Sequence, residues 1–101
     1  MKRIIIILMV ISSLAFGRKI IVKLATLAPE GTDWHGMLVE MGQEWKKATN
    51  GKVELRLYPG GVIGDERDMV RKMRIGQIHA AGMTTEGLSE IVPDFTAFYV
   101  P

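Results

Sequence analysis

Cysteine is absent from the 101 residues. That excludes a disulfide framework and any thiolate-ligated zinc or iron–sulfur site. Serine and imidazole chemistry is nearly as sparse. After Gly17 the one serine is Ser89, in Gly87-Leu88-Ser89-Glu90 rather than a G-x-S-x-G elbow. His35 and His79 are the two histidines and lie far apart, with no H-E-x-x-H spacing. These shortages leave too few groups for a nucleophile–base pair, so the sequence argues against an enzyme. A metal site is equally unsupported: His35 reads as a first-turn helix residue beside Trp34, and His79 as a locally hydrogen-bonded side chain. No cofactor is implied.

An excess of one charge is also missing, once the N-terminus is set aside. The formal charge is +2. Met1-Lys2-Arg3 followed by the apolar run Ile4 to Phe16 has the layout of a secretory signal peptide, with a cut after Ala15-Phe16-Gly17. Removing Lys2 and Arg3 leaves 11 of the 13 bases against 11 acids. The balance gives no electrostatic case for nucleic acid or an anionic membrane surface. As a helix the run rises about 20 Å, short of the roughly 30 Å hydrocarbon core. The expectation is therefore a cleaved leader over 1–17 and an extracytoplasmic mature protein. The alternative is a small membrane-anchored interaction module retaining that segment, since Arg18-Lys19 directly after the cut disfavours export.

The mature chain alternates between two periodicities. Residues 19–25 are β-branched and apolar, a buried strand. Pro29 and Gly31 then impose a loop, and Thr32 or Asp33 caps a helix whose apolar residues Trp34, Leu38, Met41, Trp45 and Ala48 form one stripe. Asn50-Gly51 stops it. Val53, Leu55 and Leu57 alternate with polar neighbours as a second strand, ended by Pro59-Gly60-Gly61. Gly64-Asp65 opens a second helix, with acids first (Asp65, Glu66, Asp68) and bases last (Arg71, Lys72, Arg74), matching the helix dipole; Asp68 and Lys72 are spaced to pair. After Gly76, Ile78 to Met83 reads as a third strand, Leu88 to Val92 as a helical turn, and Phe95 to Tyr99 as a further short element. Met37, Met41, Met69, Met73 and Met83 read as packing residues.

The order strand–helix–strand–helix–strand with short links predicts an α/β fold with a parallel sheet. A sheet of about three strands with no capping helix is small, and the expectation is an incomplete piece of a larger domain. The Gly60-Gly61 to Gly64 turn sits where anion loops occur, but lacks Lys-Ser/Thr, and its following acids repel phosphate. Helix capping accounts for those acids better than a calcium site. Trp34 lies where the first loop meets the first helix, beside the carboxyl ends of the strands, where open α/β sheets bind ligands.

Several strings occur together: Leu24-Ala25-Thr26-Leu27-Ala28-Pro29-Glu30-Gly31, Glu44-Trp45 through Asn50-Gly51-Lys52-Val53, Tyr58-Pro59-Gly60-Gly61-Val62-Ile63-Gly64-Asp65-Glu66-Arg67, and Met73-Arg74-Ile75-Gly76-Gln77. In order and spacing they resemble the N-terminal part of TRAP transporter solute-binding proteins of the DctP family. The likeness runs from about Lys19 to Pro101. It implies the first lobe of a two-lobe receptor that captures an organic acid and delivers it to the membrane permease subunits of an ion-gradient-driven transporter. It further implies that an arginine of the second lobe clamps the ligand carboxylate, a role not transferred to Arg56, Arg67, Arg71 or Arg74. First-lobe positions carried over as ligand-binding are Leu27, Glu30 and Trp34 after strand one, Asp65 after strand two, and Thr84 and Thr85 after strand three. Sugar-acid-binding relatives place an amide at position 27 and an acid at 84. Leu27 and Thr84 depart from that, which points to a smaller or more apolar carboxylate.

Overall fold

The computed structural model describes residues 18–99 together with Arg3. Apart from Arg3, the leader read over 1–17 lies outside the described residues, as do residues 100 and 101. The elements are β1 (Ile20–Thr26), α1 (Asp33–Ala48), β2 (Val53–Tyr58), α2 (Glu66–Arg74), β3 (Ala80–Gly82), α3 (Thr85–Ser89) and a 3-10 helix over Pro93–Tyr99. Both strand pairings are parallel and the sheet order is β2-β1-β3. The chain thus leaves β1 in one direction and, after β2, returns past it to the other side. Right-handed crossovers place α1 and α2 on opposite faces for this order.

The alternation of β2 matches that arrangement. Leu55 faces α1, so closely that a Cβ on Gly42 would lie 3.0 Å from the Leu55 Cβ. Tyr58 faces the other way, into a cluster built on buried Ala25, Met69 and Ile78, with Met73, Ala81 and Met83 around it. Ala25 pairs with Tyr58 on one side and Ala81 on the other, so one rung of the sheet supplies the floor beneath α2. Met69 is fully enclosed there.

Helix ends follow local chemistry. Of the two expected caps for α1, Thr32 serves: its hydroxyl accepts from the His35 N–H at 3.3 Å and donates to the Pro29 carbonyl at 2.7 Å. Asn50 and Gly51, at φ 52° and 78°, turn the chain out of the helix as expected. At α2, Asp65 accepts from the Asp68 N–H at 2.8 Å, while the Asp68 carboxylate accepts from the Asp65 N–H at 3.1 Å, a reciprocal capping box. The Asp65 N–H, with the Arg71 guanidinium as the lesser cause, holds the Asp68 carboxyl below its ordinary value. Gly64, at φ 125°, makes the turn possible, because a Cβ there would lie 2.7 Å from the Asp68 Cβ.

Several expectations are corrected. The strand read over Ile78 to Met83 shrinks to Ala80–Gly82 because the His79 imidazole enters the ladder. The His79 N–H donates to the Lys23 carbonyl, and its Nδ1 accepts the Lys23 N–H, each at 2.9 Å. Asp68 pairs with Arg71 rather than Lys72, whose ammonium donates instead to the Ile63 carbonyl. The helical turn expected over Leu88 to Val92 begins earlier, at Thr85, and the 3-10 helix begins at Pro93 rather than Phe95. Within the α1 stripe, Leu38, Met41 and Trp45 are half-buried, but Ala48 is exposed and Trp34 is 54% exposed. Met37, read as packing, is exposed. The helix rests mainly on β2 at the sheet edge, so its first turn overhangs the strand ends.

Candidate functional site

The reversal of strand order lies between β1 and β3, and the loops leaving these two strands diverge there. In open α/β sheets this switch point, beyond the carboxyl ends of the strands, is the natural ligand crevice. A cleft of about 300 Å³ occupies it, walled by Thr26 and Leu27 after β1, Trp34 in the first turn of α1, Met83 and Thr84 after β3, and Glu66 at the start of α2. Gly82 forms part of the floor, and a Cβ there would come within 3.8 Å of the Trp34 Nε1. The indole therefore lies against the β3 backbone with its ring as a wall.

Glu66 organises the opposite wall. It is buried, with 6% of its surface exposed. Oε1 accepts the Thr84 N–H at 2.6 Å; Oε2 accepts the Thr84 hydroxyl at 2.6 Å and the Gly87 N–H at 2.8 Å. Thr84 is the N-cap of α3 and makes no side-chain cap of its own. The carboxylate of a neighbouring helix supplies the cap instead, which accounts for α3 starting at Thr85. Gly87 is required by the same contact, since a Cβ would lie 2.8 Å from Glu66 Oε2 and 2.9 Å from its Cβ.

The residues selected from the sequence separate into groups. Leu27, Trp34 and Thr84 meet in the cleft. Asp65 lines an adjoining depression of about 360 Å³, which it shares with Leu27, Glu66 and Thr84. Glu30 faces a different groove, of about 410 Å³, between α1 and β2. Thr85 begins α3 and lines neither the cleft nor the adjoining depression. Glu66 and Gly87 were not singled out. A glutamate just after a cap looks like ordinary dipole complementation, and its partners lie 18 and 21 residues further on.

Among the described residues, no lysine or arginine lines the cleft. The arginines weighed above as clamp candidates are engaged elsewhere: Arg56 with Glu54 at 3.8 Å, Arg67 with Glu90 at 3.2 Å, and Arg71 with Asp68 at 2.5 Å. The Arg74 guanidinium donates to the Glu90 carbonyl at 3.3 Å. No group of three or more His, Asp or Glu is placed to hold a metal ion among those residues. No described helix is long and apolar enough to cross a membrane. The cleft offers an aromatic wall, an aliphatic wall and an oriented hydroxyl, which suits binding of a small organic molecule.

Comparison with known proteins assigns this architecture. Residues 24–101 match the profile of bacterial extracellular solute-binding protein, family 7 (DctP). A solute-binding protein of Roseobacter denitrificans is 31% identical over 90 residues, covering 89% of this chain and 27% of that protein. Among solved structures, a TRAP periplasmic solute-binding protein of Citrobacter koseri with bound D-glucuronate superposes with TM-score 0.71 at 33% identity, over 78% of this chain and 26% of that one. A second, from Desulfovibrio desulfuricans with bound sn-glycerol-3-phosphate, gives 0.69 at 26% identity, over 77% and 25%. The chain thus spans about a quarter of the length of these relatives. With a profile match over most of its residues and the same parallel three-strand core, the chain belongs to the DctP family of bacterial extracellular solute-binding proteins.

Proposed function

We propose that this chain is the N-terminal part of the first lobe of a periplasmic receptor, exported by the leader over residues 1–17. The receptor captures a small organic acid and passes it, unchanged, to the permease subunits of an ion-gradient-driven transporter. The observation that carries this reading is the cleft at the β1/β3 switch point, which has binding walls but no cation. The carboxylate of a ligand lying against these walls needs its positive partner from another part of the receptor, as in a two-lobe clamp that closes on its ligand. Leu27, Trp34 and Thr84 are the proposed ligand walls. Asp65 lines the adjoining depression, Glu30 lines another groove, and Thr85 lines neither the cleft nor that depression. The relatives with bound D-glucuronate and sn-glycerol-3-phosphate support an anionic ligand class.

The test uses the protein expressed at the full length of its reading frame, in a thermal-shift panel of organic acids including D-glucuronate, orotate and sn-glycerol-3-phosphate. Ligand at a hundred times its dissociation constant stabilises by about 2.7 kcal/mol. At least one acid is expected to raise Tm by several degrees, saturably and without being consumed. No response to any acid, or turnover of one, would contradict the proposal.

A further inference from the structure

The proton bookkeeping of the cleft restricts which end of an acid it can take. A threonine hydroxyl has one hydrogen to donate and two lone pairs to accept with. In Thr84 that hydrogen is committed to Glu66 Oε2 at 2.6 Å, and the backbone N–H of the same residue to Oε1 at 2.6 Å. Thr84 therefore presents only an acceptor to a ligand. Glu66 accepts three hydrogen bonds, one on Oε1 and two on Oε2, so it too meets a ligand only as an acceptor. The remaining walls, Thr26, Leu27, Met83 and the Trp34 ring, carry no charge, and their donors are the neutral Thr26 hydroxyl and Trp34 indole N–H. The adjoining depression is lined by Asp65, Glu66, Glu86 and Glu90 against one arginine, Arg67, which is paired with Glu90 at 3.2 Å. A carboxylate entering this half would find, among the described residues, no cation but the already paired Arg67, and would lie beside an acceptor and a row of like charges.

We infer that the receptor selects monocarboxylates whose end remote from the carboxylate is not anionic and carries a hydrogen-bond donor, received by Thr84, and that it rejects dicarboxylates. This inference rests on the receptor reading above and adds the ligand's polarity to it. The rejection is the stronger half, because specificity arises as much from the group a site repels as from the one it welcomes.

The test compares acids differing only at the far end, by calorimetric titration of the protein expressed at the full length of its reading frame. The sets are 6-hydroxyhexanoate, hexanoate and adipate; 4-(hydroxymethyl)benzoate, 4-methylbenzoate and terephthalate; and the pair gluconate and glucarate. In each set that binds, the hydroxy acid is expected to bind roughly tenfold or more tightly than the diacid, and about fivefold more tightly than the methyl analogue where one is included. Thr84→Val should bring hydroxyl and methyl ligands to within about twofold of each other, whereas Thr84→Ser should keep the preference. A purely structural role for Thr84 would weaken all ligands alike and leave the ratios unchanged. A diacid binding as tightly as its hydroxy acid, or a Thr84→Val protein that keeps the preference, overturns the inference while the receptor reading stands. Failure of every acid to bind removes the receptor reading, and this inference with it.

Discussion

Replacing Glu66 with alanine is expected to destabilise the fold by about 3–5 kcal/mol, a drop in Tm of roughly 6–20 °C for a lobe of about 150–250 residues. The reason is the number of groups left behind. The Thr84 and Gly87 N–H groups and the Thr84 hydroxyl all donate to this one buried carboxylate. A hydrogen bond to a charged group contributes about 1.5–3 kcal/mol, and a buried donor without a partner costs about 1–3 kcal/mol. These terms overlap rather than add. Glu66→Gln should recover only part of the loss, because one arm of the amide turns a donor towards an N–H or hydroxyl. Gly87→Ala should reproduce much of the destabilisation from the other side, by pressing a methyl group into the Glu66 side chain. Chemical denaturation measures all three. A Glu66→Ala protein within about 1 kcal/mol of wild type would show that the latch between α2 and α3 does not hold the cleft wall.

The second large effect is on affinity. Trp34 is 54% exposed, and its ring walls the cleft. An exposed indole at a concave site is an anchor that gains burial when ligand arrives. Trp34→Ala should weaken acid binding by about 30- to 100-fold, equivalent to about 2–3 kcal/mol of lost contact. Stability should change little, since the ring contributes little to the core. Titration calorimetry and a denaturation curve on the same variant separate the two. Unchanged affinity would exclude the indole from the ligand contact, and a large fall in stability would make it a core residue.

The sequence-level reading succeeded where a signal is local. The strand–helix alternation, the Thr32 and Asp65 caps and the Asn50-Gly51 stop are each written within a few neighbouring residues. It fell short where the determining contact is long-range. Nothing near His79 announces that its ring continues the β3 ladder to Lys23, 56 residues earlier, so the strand was drawn too long. Nothing near Glu66 distinguishes a buried latch from an exposed first-turn acid. The start of α3 was misplaced for the same reason, because its cap comes from another helix. Of the candidate site, Leu27, Trp34 and Thr84 converge because a parallel sheet brings its loops to one end. Glu30 diverges because its loop also feeds the groove on the α1 face, a division that depends on which face each crossover covers.

The central claim is that an organic acid occupies the cleft at the β1/β3 switch point. Trp34 and Trp45 are the two tryptophans of the sequence, and only Trp34 lines that cleft. With Trp45 and any other tryptophan of the full reading frame replaced by phenylalanine, the fluorescence of the Trp34 indole reports directly on the site. Saturation with an acid that binds by calorimetry should quench or shift the Trp34 emission, with the same midpoint as the heat signal. An acid that binds with full heat while the Trp34 emission stays unchanged would place the ligand elsewhere and contradict the account.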